Sequence, residues 1–117
     1  MVYSLFATGV IFGGTSSIAM DQHGNYQVYG NLPCSVYLNN LKQGGLRQMS
    51  MKAYVAGFVS GVNLISPETY DVLGQSNVDG ALLWLKNYCE KNPLEKLGKP
   101  MAELMAELYP KRNQMKP

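Results

Sequence analysis

The sequence predicts an all-α protein: a small bundle of four to five helices with a short N-terminal extended arm and one disulfide. Three observations carry that reading. From Cys34 to Leu108 the apolar residues recur at spacings of three and four, the period of a helix with one buried face. Glycine and proline pairs cut this stretch into separate helical lengths. The chain has 117 residues, 46% hydrophobic and 15% charged, which is one domain with a core and not a disordered tail.

Taken in order, Gly24-Asn25 leads into Tyr26-Gln27-Val28-Tyr29, which alternates and ends at Gly30-Asn31, a short strand or extended arm. Two strands at least are needed for a sheet, so this arm is expected to lie against the helices. Cys34, Tyr37, Leu38 and Leu41 then fall on one helical face, with Pro33 suited to the first turn and Gly44-Gly45 ending it. The second helix runs from about Leu46 to Asn63, with Met51, Tyr54, Val55, Phe58 and Val62 as its apolar stripe. Beside that stripe sit Ala53, Gly57 and Gly61. Two interior glycines cost about 1 kcal/mol each relative to Ala, so close packing against a neighbouring helix is expected to offset them. The Gly57-x-x-x-Gly61 spacing also occurs in membrane-helix pairs, but the uncharged run around it, from Ala53 to Pro67, is too short and too polar to span.

Residues 64–76 form an apolar connector expected to fold over the core, with a helical turn after Pro67. Ser76-Asn77-Val78-Asp79 is a helix cap with an acid in the first turn, and the third helix follows from about Val78 to Lys91 on Val78, Leu82, Leu85 and Cys89, widened by Ala81, Trp84 and Tyr88. Asn92-Pro93-Leu94-Glu95 reads as a restart, Asn as cap and Pro at the first position. Leu94, Leu97, Met101, Leu104, Met105 and Leu108 make the fourth stripe, and Pro100 inside it predicts a kink or break near Gly98. Tyr109-Pro110 stops the helix. The domain therefore covers residues 21–110, and 111–117 is a basic tail expected to be mobile.

The first twenty residues carry no charge. Val2 to Phe12 is nearly continuous apolar chain, followed by small polar residues and by Ser17 and Ala19 at the positions a signal peptidase reads. This is the order of a secretion signal. A basic n-region is missing, which under this reading places the start upstream of Met1. A membrane anchor is the rival, but eleven apolar residues span about 16 Å as a helix against a hydrocarbon core of about 30 Å. The other rival is a buried N-terminal element of the domain itself. Cys34 and Cys89 agree with export: an even pair in a small chain is most simply one disulfide, closing a loop of about 56 residues and worth about 4 kcal/mol in the chain-entropy model. Two buried reduced thiols are the alternative.

The formal net charge of +2 is too small to argue for nucleic acid. One His and two Cys leave no structural zinc set, and neither a phosphate-binding loop nor a nucleophile-elbow motif occurs. His23 lies beside Asp21 without a Ser or Cys motif pointing at it. Asp71 and Asp79 could work as a carboxylate pair, but a turn residue and a cap residue account for them. Asn77-Val78-Asp79-Gly80 fails as a calcium loop, because the twelfth position is Tyr88. No catalytic residue, metal or cofactor is assigned. The aromatics point elsewhere. Eight Tyr and one Trp are many for this size, and such side chains suit interfaces. Tyr26 and Tyr29 on the arm, Tyr70 in the connector, and Phe58 and Val62 on the second helix are the protein-binding candidates.

The helix opened by Cys34-Ser35-Val36-Tyr37-Leu38, the helix Tyr54-Val55-Ala56-Gly57-Phe58-Val59-Ser60-Gly61-Val62-Asn63, and the ending Tyr88-Cys89-Glu90-Lys91-Asn92-Pro93 together resemble the HdeA/HdeB-type family of small periplasmic proteins. The resemblance covers about residues 34–108. It implies a helical fold with one disulfide tying two helices, a periplasmic location, no catalytic site, and an acid-stress chaperone role. The same helical order resembles immunity proteins that neutralise type VI secretion amidase effectors. The arm at 21–33 and the 64–76 connector lie outside the acid-chaperone pattern. The expectation is thus a periplasmic or secreted binding protein with a protein partner, either client or effector. No nucleic acid and no stable membrane span are expected, and a symmetric homodimer is favoured by the base rates of closed assemblies.

Overall fold

A computed structural model describes residues 20–117. It holds four helices, α1 (Cys34–Gln43), α2 (Gly45–Ile65), α3 (Val78–Lys91) and α4 (Gly98–Leu108), and a 3-10 turn over Tyr109–Lys111. The proposed signal sequence, with its Ser17 and Ala19, lies outside the described residues. Met20 at their edge is exposed.

Each helix begins and ends where its chain chemistry dictates. Pro33 is the N-cap of α1 in extended conformation, and the Cys34 N–H that would be left unpaired donates instead to the Glu95 carbonyl at 2.7 Å. Gly44, at φ 69°, turns the chain in one residue and α2 starts at once. Asn77 caps α3, its side-chain oxygen accepting from the Gly80 N–H at 2.8 Å. A Cβ at Gly80 would meet Ser76 Oγ at 2.6 Å, so that exposed hydroxyl would have to turn aside.

The helices α1, α2 and α3 pack on one another pairwise and α4 packs on α3. Tyr37, Val55, Val59, Leu82, Leu85, Leu97, Met101 and Leu104 form the buried centre, with Tyr54, Phe58, Val62, Trp84 and Tyr88 packed on its margin. The predicted stripes of the first three helices are therefore the faces that pack inward. Cys34 and Cys89 are joined in a disulfide with Cα atoms 5.0 Å apart, both fully buried. It ties the first turn of α1 to the last turn of α3.

Two expectations are corrected, the restart at Asn92-Pro93 and the helical turn after Pro67. The restart at Asn92-Pro93 does not begin a helix: Asn92 closes α3, its side chain donating to the Tyr88 carbonyl at 3.0 Å, and residues 93–97 are a turn. Leu94 consequently leaves the apolar stripe and is 97% exposed. The helix starts at the predicted break, Gly98, and Pro100 falls in its first turn, where the missing N–H would have had no partner. Of the two forms expected for the arm, the extended one is found, and no strand forms among the described residues. The arm stays extended against the helices by an isolated bridge from Pro33 to Lys96 and by Leu97 N–H donating to the Leu32 carbonyl at 2.8 Å. No helical turn follows Pro67; the chain instead makes a turn with Glu68 at φ 49°.

The tail is held rather than mobile as far as Asn113. Asn113 pairs with Asp71 as an antiparallel bridge, its N–H donating at 2.9 Å and its carbonyl accepting from Tyr70 and Asp71. Arg112 Nε donates to the Glu68 carbonyl at 3.2 Å and to Thr69 Oγ1 at 2.9 Å, and its guanidinium lies 3.9 Å above the Tyr109 ring. Gly74 lets this strap approach, because a Cβ there would sit 2.6 Å from the Lys111 carbonyl oxygen. Beneath the strap the connector folds over the core as expected, burying Val72 and Leu73.

Candidate protein-binding surfaces

The arm is presented by α2. Tyr54 Oη donates to the Tyr29 carbonyl at 2.6 Å, and burial raises the Tyr54 phenol above the ordinary tyrosine range. The hydrogen bond fixes the backbone of Tyr29 while the residue as a whole is left 83% exposed. Tyr26 on the same arm and Tyr70 on the connector are each about half exposed. Tyr70 is also fixed through its backbone, by its bond to Asn113 at 2.8 Å. Tyr29 and Tyr70 are thus surface aromatics on anchored backbone, the state in which an aromatic contributes most to binding because little ordering remains to be done.

Phe58 and Val62 are different. Both are partly buried and pack against the core from α2, so in the folded state they are margin residues. A partner reaches them only if α2 loosens.

The small residues of α2 do not serve the role expected of them. Ala53, Gly57 and Gly61 lie on the outer, exposed face of the helix, and a Cβ at Gly57 or Gly61 would have nothing within 4 Å among the described residues. No neighbouring helix of the bundle approaches there. Reasoning from the stripe alone missed what accompanies it: Leu46, Met49, Leu64 and Ile65 are among the most exposed large apolar side chains of the chain. A helical-wheel count from the buried Met51, Val55 and Val59 would have placed them outward.

A shallow groove of about 570 Å³ runs between α1 and α3, with Leu38, Leu41, Leu82 and Leu83 in its lining and Lys42, Asp79, Lys86 and Glu90 beside them. Its charges are largely spoken for: Lys52 pairs with Asp79 at 3.0 Å and Lys86 with Glu90 at 3.3 Å. These exposed pairs contribute little to stability, about 0–1 kcal/mol each.

Of the side chains considered for catalysis, the three carboxylates each have a structural role. Asp21 accepts from the backbone N–H groups of His23 and Asn25 at 2.9 and 2.8 Å, closing a turn. Asp71 accepts from the Leu73 N–H at 3.0 Å and from Asn63 Nδ2 at 3.4 Å. Asp79 is the first-turn acid of α3. Among the described residues no group of three His, Cys, Asp or Glu could hold a metal ion, and no helix is long and apolar enough to cross a membrane.

Comparison with known proteins brings no relative to bear on these surfaces: the chain matches no protein-family model, no curated protein and no solved structure.

Proposed function

We propose that this chain is an exported, non-catalytic protein-binding protein of the periplasm or cell exterior, acting as an acid- or stress-responsive chaperone. The supporting observation is the combination of a buried disulfide between α1 and α3 with large apolar side chains left outside the bundle on α2. A disulfide is the mark of an oxidising compartment. It also divides the molecule. The helices α1 and α3 stay joined under conditions that loosen the rest, whereas no cross-link holds α2 and α4 to them. Acid supplies such a condition: neutralising eight carboxylates and charging one His raises the formal charge from +2 by nine, to +11. Self-repulsion of that size expands small folds. Displacement of α2 then uncovers Phe58 and Val62 on it and Leu82 and Leu85 on the joined pair.

The test is aggregation of an acid-denatured client at about pH 3, followed by light scattering with and without the protein. Suppression that disappears on reduction of the disulfide is the expected result; no protection at molar excess removes the chaperone reading. The second reading is an immunity or inhibitor protein, and it is favoured by Tyr29, whose anchored backbone and exposed ring would suit insertion into an effector cleft. Tyr29→Ala abolishes capture of an effector under that reading and leaves client protection in acid unchanged under the first.

A further inference from the structure

We propose that the outer face of α2 is a self-association surface on which a second copy of this chain lies antiparallel, the two-fold axis passing at the level of Val55. Six residues define the seam: Leu46, Ser50, Ala53, Gly57, Ser60 and Leu64. All six are exposed. Their spacings are four, three, four, three and four, the alternation that keeps one row of side chains facing a partner helix along its whole length. The row is also palindromic. Reflected through residue 55, Leu46 falls on Leu64, Ser50 on Ser60 and Ala53 on Gly57. A two-fold interface pairs residue i with j and j with i, so an antiparallel pair sets leucine against leucine at both ends, with small residues meeting at the centre. Gly57 and Ala53 then allow the axes to close to about 8 Å, the near end of the helix-packing range.

Charge selects this orientation. The cations of α2 are Arg47 and Lys52, both in its N-terminal half, and its last turn has no basic residue. A parallel pair would bring Arg47 beside Arg47. The antiparallel pair brings each Arg47 beside the partner's last turn, where unpaired carbonyls carry the negative end of the helix dipole. Lys52 is already held by Asp79. The seam's polar groups are prepared for burial as well. Ser50 Oγ donates to the Leu46 carbonyl at 2.9 Å and Ser60 Oγ to the Ala56 carbonyl at 2.7 Å, so covering them strands no donor. Leu46, Leu64 and Ile65 are 80%, 85% and 78% exposed and supply the apolar area. A helix pair about 28 Å long is smaller than a standard stable interface, which buries roughly 1,200 Å² or more, so the association is weak. It does not depend on the chaperone reading.

The experiment is disulfide cross-linking of the full chain, because Cys34 and Cys89 are fully buried and paired. Ser50→Cys and Ser60→Cys proteins are oxidised separately and mixed. Covalent dimer from the mixture, at least ten-fold above either protein alone, is the expected result. A dimer from Ser50→Cys alone shows a parallel pair and overturns the proposal. So does the absence of any cross-link at several hundred micromolar, and so does a Ser60→Cys monomer whose thiol resists maleimide, which would show the face covered by the chain itself. As a second reading, Gly57→Lys is expected to fold normally, since a Cβ there meets nothing within 4 Å among the described residues, and to shift sedimentation to monomer at concentrations where the parent associates. Unchanged association in that variant is likewise incompatible with the seam.

Discussion

Tyr37 shows how much one side chain decides here. It is fully buried between α1 and α3, and its hydroxyl donates to the Leu82 carbonyl at 2.9 Å. Burial pushes its phenol far above the ordinary tyrosine range. The folded state therefore prefers the neutral form. The stability this group contributes is complete below the ordinary tyrosine pKa near 10 and falls away as pH rises beyond it. Tyr37→Phe is expected to cost about 1–2 kcal/mol in urea unfolding at pH 7 and to flatten the loss of stability that the parent shows above about pH 10. Asn63 plays the same part for the connector. Its side-chain oxygen accepts from the Val72 N–H at 2.7 Å and its amide donates to Asp71 at 3.4 Å. Asn63→Ala is expected to cost about 1–3 kcal/mol, with the amides of Val72 and Leu73 losing hydrogen-exchange protection first. Neither role could be inferred from spacing, because both link residues whose proximity exists only after the chain has folded.

Among the elements, α2 carries the sharpest prediction. Two glycines in a helix interior imply either a packed neighbour or an uncompensated cost, and the exposed positions of Gly57 and Gly61 decide for the second among the described residues. Gly57→Ala is expected to raise stability by about 1 kcal/mol, measured by thermal unfolding at low micromolar concentration; a helix packed tightly at that position would have been destabilised. The C-terminal strap makes the opposite case. Residues that looked like a loose basic tail close the connector through Arg112 and Asn113. Truncation after Lys111 is expected to expose Val72 and Leu73 and to increase binding of an apolar dye at neutral pH without unfolding α1 and α3.

Over the whole molecule, the disulfide sets the order in which parts come apart. It joins cysteines 55 residues apart in the chain, and its removal is expected to cost about 4 kcal/mol on the chain-entropy account. Both sulfurs are buried, so native protein should resist reductant and thiol labelling until denaturant opens the bundle; rapid labelling of the folded protein would contradict this. The three exposed ion pairs, Lys52–Asp79, Lys86–Glu90 and Lys99–Glu95, hold too little energy to resist acid. Loosening near pH 3 should therefore follow net charge, and added salt should oppose it by screening.

Local chemistry was enough to locate four helices, their inward faces on α1 to α3, a cap at Ser76 or Asn77 and the break at Gly98. Each depends on residues within a turn or two of one another, where periodicity and backbone preference act directly. The pairing of Cys34 with Cys89 was also within reach, because two cysteines allow one intramolecular bridge. The outward position of Gly57 and Gly61, the failure of Asn92-Pro93 to start a helix and the capture of the tail by the connector were decided in three dimensions. A glycine pattern reads the same whether a neighbour covers it or not. A cap sequence yields when the Glu95 carbonyl and Leu97 N–H are claimed by Cys34 and Leu32 from the other end of the domain. Such long-range hydrogen bonds and packing outweigh local preferences of about 1 kcal/mol, and only the assembled core creates them.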